Sequence, residues 1–357
     1  MVTTIIATPH VALLIINLFI IFGWIHKNDN GPKVLLCAFS VCYFTLLYMF
    51  SEKSGDHLLY KDYFINDGLV YNANFEPAWR VFNDFVYNYI SRSYEYFIIL
   101  VYFLTTLCKW IAAKLVGGNI YLTFVLAIVL LFHVDFEQIR QGLVLSLSLV
   151  SLGLFFKQRF LYFTVIASVC VMLHYGMIGF FLPMIGALIA KHLFGRGSDK
   201  WYLIVATTLL LCSFFVPVLE LVMSTLPKEI FFYQKLYAYF MSEKFSYSTF
   251  STTRVFFMII CVIFLFYRRQ FNTRGGVNLV FLTDFFVFAV IQAQIFSDIG
   301  VVATRVYFVF CMGLLCLILP MLLECLKDFR KSIFFLIIAF LPNFFLYTFL
   351  RSALKYI

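Results

Sequence analysis

Residues 133–156 read HVDFEQIRQGLVLSLSLVSLGLFF, a polar cluster opening directly into an apolar run in which Arg140 is the one charge between Ile139 and Phe156. As a helix rising about 1.5 Å per residue, such a run nearly spans hydrocarbon about 30 Å thick. The stretch therefore predicts a membrane helix over 139–156 with an arginine at its mouth. Arginine cannot shed its proton to escape a low-dielectric site, and its planar fork matches phosphate oxygens. Further along the run, Ser146, Ser148 and Ser151 are small polar residues of the kind that let membrane helices approach closely.

Outward from this stretch, apolar runs recur near 4–25, 33–50, 93–116, 119–133, 159–173, 176–193, 201–223, 254–269, 277–296, 302–324 and 331–350. Hydrophobic residues make up 63% of the 357-residue chain and charged residues 13%, with mean hydropathy +0.94. Runs this long fit helices rather than a porin-type barrel. The expected fold is all-α: one integral membrane domain over 1–357 with about twelve transmembrane helices. The first span lacks a basic leader and a small-residue cleavage site, and reads as a retained anchor. The nine cysteines all fall in or beside apolar runs, without CxxC or Cys/His clusters, and read as small buried hydrophobes.

Charge sets the expected orientation. Alternate connections carry Lys27, Lys33, Lys109, Lys114, Lys157, Arg159, Lys191, Arg196, Lys200, Arg268, Arg269, Arg274, Lys327, Arg330 and Lys331, 15 basic residues against four acids. The opposite face has 12 basic residues and 13 acids, with Asp284 left inside a span. Lysine and arginine accumulate in cytoplasmic loops, so the first set is expected to be cytoplasmic. The net charge of +9 is then a topology signal and implies no nucleic-acid partner. Both long connections, 51–92 and 224–253, fall on the outer face with Arg140, His174 and Arg305, where chemistry or recognition is expected.

Several outer residues are candidates for that chemistry. In the 51–92 loop, Pro77 suits the first turn of a helix, and Ala78, Phe82, Phe85, Val86 and Tyr89 give it an apolar face for the membrane interface. Asp56 and Glu76 either cap helix N-termini or serve as a general base or sugar-orienting group. Glu76, beside Pro77 and Trp79, is the better placed of the two. Arg140 either snorkels or pairs with Glu137, or it joins Gln141 in donating to a diphosphate. His174 is a packing residue or a proton carrier near neutral pH. Arg305 pairs with Asp298 or binds an anion. The 224–253 loop is rich in aromatics, Tyr237 and Tyr239 among them, suited either to an interfacial belt or to packing on sugar C–H faces as a lid. Asp135 and Glu137 are spaced to share a divalent ion, but His133 and Arg140 offer them charge partners instead, and the expectation is no metal and no cofactor. Walker loops, zincin helices and nucleophile elbows are absent from the sequence.

Gly55-Asp56 with Tyr60, then Glu76-Pro77-Ala78-Trp79, then Ile139-Arg140-Gln141, then Phe160 through His174, then Arg305-Val306-Tyr307 resemble, in that order, the EpsG-like branch of the Wzy-type polysaccharide polymerases. The likeness covers roughly residues 50–310; Lys53 stands where these proteins often have arginine, and Ala78 where glycine is usual. The resemblance implies a GT-C-like, multi-pass glycosyltransferase of the bacterial inner membrane with its active site facing the periplasm. It implies undecaprenyl-pyrophosphate-linked donor and acceptor glycans, membrane lipid and a Wzz-type chain-length regulator as partners. The product is O antigen or a related surface polysaccharide, made without metal. On this reading Arg140, Arg305, His174 and Glu76 are catalytic, and Gln141, Arg80, Asp56, Tyr60, Tyr307, Tyr237 and Tyr239 bind substrate. A lipid-linked oligosaccharide flippase or other transporter calls for mid-membrane charge and repeated halves, and a membrane acyltransferase for a paired His-acid motif. Neither signature is evident in the sequence.

Overall fold

A computed structural model of the chain describes residues 55–67, 75–116, 119–194, 199–215, 252–274, 276–296 and 309–325, with isolated positions between 34 and 45. All regular structure among them is helical. In chain order the helices are α1 (Gly55–Asn66), α2 (Pro77–Tyr89), α3 (Tyr94–Val116), α4 (Ile120–Glu137), α5 (Ile139–Phe156), α6 (Phe160–Leu173), a 3-10 turn (Tyr175–Met177), α7 (Ile178–Phe194), α8 (Asp199–Phe215), α9 (Thr252–Arg274), α10 (Gly276–Ile295) and α11 (Val309–Cys325). Among the described residues, four stretches are long and apolar enough to cross a membrane: α3, α5, Tyr175–Phe194 and Asn278–Ile295. Shorter apolar helices lie in α4, α6, α8 and α11. The spans expected at 4–25 and 331–350 and the loop at 224–253, apart from Thr252 and Thr253 at the start of α9, lie outside the described residues.

The chain divides into two compact units, one over residues up to Tyr175 together with those from Leu319, the other Gly176–Ile318. In the first, α3 and α5 pack along each other more extensively than any other described pair. Small residues on α5 permit this. A Cβ on Gly153 would sit 2.5 Å from the Leu115 Cβ. Ser146, Ser148 and Ser151 are fully buried and donate to the carbonyls of Gly142 (2.8 Å), Val144 (2.9 Å) and Ser148 (2.7 Å), which satisfies each hydroxyl without water.

Two tight connections place the ends of these helices. Helix α4 runs through the polar stretch to Glu137, so only Gln138 separates it from α5. Gln138 donates to the Val134 carbonyl and accepts from the Gly142 amide, both at 2.9 Å, serving both helices at once. At the far end, Gln158 takes the left-handed conformation (φ 58°), and Arg159 donates to the Leu154 carbonyl at 3.0 Å, closing a short turn into α6. Helix α6 therefore runs back beside α5 and returns His174 toward the Arg140 end. Its Phe160, Leu161, Tyr162, Val165, Val169 and Met172 are exposed, a face suited to lipid rather than water.

Helix α2 packs on α6 and buries Trp79, Asn83 and Val86, while Phe85 and Tyr89 stay exposed. In the second unit, Phe180 of α7 meets Phe285 of α10 and Phe310 of α11 edge-on, with ring centroids 5.3 and 5.4 Å apart.

Two charges counted in cytoplasmic connections, Lys109 and Arg268, are buried within helices as members of ion pairs. Lys109 of α3 is buried and forms an ion pair with Asp135 of α4. Arg268 of α9 donates in bidentate fashion to Asp284 of α10, at 2.9 Å through Nε and Nη2, beneath the Tyr202 ring at 4.1 Å. Burial drives both pairings, because an uncompensated charge inside such helices costs several kcal/mol. The other basic residues of the expected cytoplasmic set still outnumber its four acids.

Candidate functional site

The best-formed polar cluster lies in the first unit, where α2 begins, α5 begins and α6 ends. Pro77 opens α2, and the clash of its ring with the preceding residue keeps Glu76 extended (φ −64°, ψ 150°) as the flanking residue. Glu76 makes no side-chain cap. Its carboxylate turns away from the helix and gathers three groups instead. Arg140 donates through Nη1 to Oε2. The Tyr175 backbone amide donates to Oε1 at 3.3 Å, and His174 Nδ1 stands 3.7 Å from the same oxygen. Capping therefore does not explain Glu76, which instead holds Arg140; the side chain of Glu137, the other expected partner, lies outside the described residues.

The Arg140 guanidinium lies over the Phe75 ring, with its central carbon 4.8 Å from the centroid. A cation on an aromatic face is held in direction as well as in place. Its Nε is buried and has no hydrogen-bond partner among the described residues. Arg80, one turn into α2, donates through Nε to the Phe75 carbonyl at 2.7 Å, tying the segment before the helix to its first turn. Tyr60 stacks on Phe75 (centroids 5.5 Å, 19° between planes) and meets Trp79 edge-on at 6.2 Å. This aromatic wedge between α1 and α2 supports the platform beneath Arg140.

Side-chain exposures of 15% for Arg140, 13% for Glu76 and 18% for His174 decide what the cluster can do. The groups are desolvated enough for charge–charge contacts to count, yet open enough for a ligand to reach them. An arginine, a histidine and a backbone amide around one carboxylate, with Arg80 on the neighbouring Phe75 carbonyl, favour an anion over a cation.

Of the residues expected to act together, Glu76, Arg140 and His174 converge here, with Arg80 bonded to the neighbouring Phe75. Tyr60 is in the supporting wedge, and Gln141 is buried in the first turn of α5. Asp56 lies in the first turn of α1, its side chain outside the described residues, as are Arg305, Tyr307, Asp298, Tyr237 and Tyr239. Asp135 is engaged by Lys109. Sequence reasoning missed Phe75 and the Tyr175 amide. Both adjoin residues it singled out, but a cation–π contact and a backbone donor leave no sequence pattern of their own.

The family whose model matches residues 33–357 is described as the EpsG family. This chain belongs to the EpsG family. No curated protein and no solved structure matches it. The match spans every residue of the cluster, and the EpsG family is a Wzy-like, polymerase-type family. With four helical stretches among the described residues fit to cross a bilayer, this EpsG-family chain is a polysaccharide-polymerase-like membrane protein.

Proposed function

We propose that the chain is a metal-independent polysaccharide polymerase of about twelve spans and GT-C-like architecture, working at the periplasmic face of the bacterial inner membrane. It transfers a growing glycan from undecaprenyl pyrophosphate to the non-reducing end of a lipid-linked repeat unit, building O antigen or a related surface polysaccharide. The observation that carries this is the Arg140 fork: stacked on Phe75, anchored to Glu76, and with its Nε uncommitted among the described residues. The family assignment supports the reaction class.

In the reaction an acceptor hydroxyl attacks the anomeric carbon of the donor sugar. The bond from that carbon to the phosphate oxygen breaks, and the lipid diphosphate leaves with the electron pair. Charge develops on that oxygen, where a preorganised guanidinium is worth most. Arg140 supplies it, with Arg305 as a second fork and Gln141 and Arg80 as further donors. Glu76 orients the acceptor hydroxyl and takes its proton, while His174 carries a proton to the leaving group. The forks provide the positive charge that a metal ion supplies in other diphosphate enzymes. Asp56, Tyr60, Tyr307, Tyr237 and Tyr239 line the path of the glycans, and a Wzz-type partner sets chain length.

Transport of lipid-linked glycans fits less well. The intramembrane charges at Lys109–Asp135 and Arg268–Asp284 are neutralised as buried ion pairs and do not line a cationic passage. Deletion of the gene followed by gel analysis of the surface glycan tests the proposal. A polymerase predicts collapse of the ladder to core plus one repeat; loss of every repeat, or an intact ladder, contradicts it.

A further inference from the structure

We infer that Lys109 and Asp135 are positioning residues for Arg140, pinning the α4–α5 corner so that the arginine fork meets a diphosphate in the productive direction. The pair is almost wholly buried, with side-chain exposures of 1% and 3%. Stability alone does not account for it. Taking both charges out of water cancels most of their attraction, and an apolar pair of similar volume commonly serves as well. Charge at such depth marks a geometric or functional task.

The task is legible in the corner itself. Asp135 stands one turn before Gln138, the single residue between α4 and α5. A Cβ on Gly142 would fall 2.7 Å from Asp135 Oδ1 and 2.9 Å from its Cα, so the first turn of α5 rests directly on Asp135. That turn carries Arg140 and Gln141. Lys109 reaches Asp135 from α3, the helix along which α5 lies. The ion pair thus fixes the inside of the corner to the scaffold that α5 packs upon. A small rotation there swings the Arg140 fork off Phe75 and Glu76. Misplacement by about 1 Å can cost on the order of a hundredfold in an organised site.

This inference rests on Arg140 contacting a diphosphate. The test uses the purified full-length protein and two probes, farnesyl diphosphate and farnesyl monophosphate, with titrated affinity and thermal melting read together. K109M/D135N neutralises both partners at nearly constant volume and leaves no orphaned charge. It is expected to melt near wild type, yet to lose about tenfold or more in diphosphate affinity and most of its preference over the monophosphate. A merely structural pair would shift melting and leave that preference unchanged, which overturns the inference. Should K109M/D135N not accumulate, Gly142→Ala decides, since it displaces the same turn with the ion pair present: reduced preference supports the inference and wild-type preference overturns it. Failure of both variants to accumulate also overturns it, because the pair is then a folding element. Arg140→Ala is the control for the underlying reading. If it binds both probes like wild type, the Arg140 assignment fails independently of the pair.

Discussion

Replacing Glu76 by Gln separates its role from that of Arg140. The amide keeps the volume and can still accept from the Tyr175 amide, but it removes the charge that anchors the Arg140 fork. The pair is 13–15% exposed, between the surface limit of about 0.2–1 kcal/mol and the buried limit of about 3–5 kcal/mol for a broken partner. One charge-assisted hydrogen bond is worth about 1.5–3 kcal/mol, and the Phe75 contact and a neutral hydrogen bond are retained. The net cost to stability is therefore about 1–2 kcal/mol, a melting shift of no more than about 4 °C. Turnover should fall much further, because a positioned base contributes about 10²–10⁴-fold. The assay is polymerisation of lipid-linked repeat units by purified protein, alongside farnesyl diphosphate affinity. Expected is turnover lowered at least a hundredfold with affinity within about threefold of wild type. Glu76→Asp, which keeps the charge one methylene short, should recover part of the turnover. Wild-type turnover in Glu76→Gln, or a loss of affinity as large as the loss of turnover, would falsify the division of labour between base and anion site.

Trp79→Ala empties the wedge under α2, where the indole is fully buried, and should cost about 3–5 kcal/mol, seen as loss of folded protein by fluorescence-detected size exclusion. Arg268→Met alone leaves Asp284 buried without its bidentate partner and should cost about 3–5 kcal/mol; R268M/D284L should regain much of that in the same measurement. Tyr239→Ala, in the aromatic connection, should shorten the glycan ladder without abolishing it; an unchanged ladder would remove this residue from the acceptor path.

How far the sequence carried can be judged helix by helix. The apolar run from Ile139 to Phe156 gave α5 its observed bounds, and Pro77 marked the observed start of α2. The break at His174 fell where α6 ends, because that polar residue and the following glycine interrupt the apolar pattern. The corner at Gln138 was not legible. Polar residues 133–137 look like a loop, and they remain helical with Asp135 neutralised by Lys109 from another helix. That contact spans 26 positions, beyond any local periodicity. The same blindness put Lys109 and Arg268 among loop charges. At the site, Glu76, Arg140 and His174 were each visible as candidates, but their convergence was not: Glu76 and Arg140 are 64 positions apart and meet only because α6 doubles back along α5 and α2 packs on α6. Glu76 at a helix start would ordinarily be spent on a cap; in the fold its carboxylate is turned toward Arg140.

Titration of wild-type and Arg140→Lys protein with farnesyl diphosphate bears most directly on the anion-binding role of this cluster. Lysine keeps the positive charge but loses the planar fork. Affinity should drop about tenfold or more, the loss of at least one charge-assisted hydrogen bond of about 1.5–3 kcal/mol, while the farnesyl monophosphate affinity changes much less. Equal diphosphate affinity in the two proteins would mean that the fork at Arg140 does not hold the leaving group, and the proposed chemistry would lose its foundation.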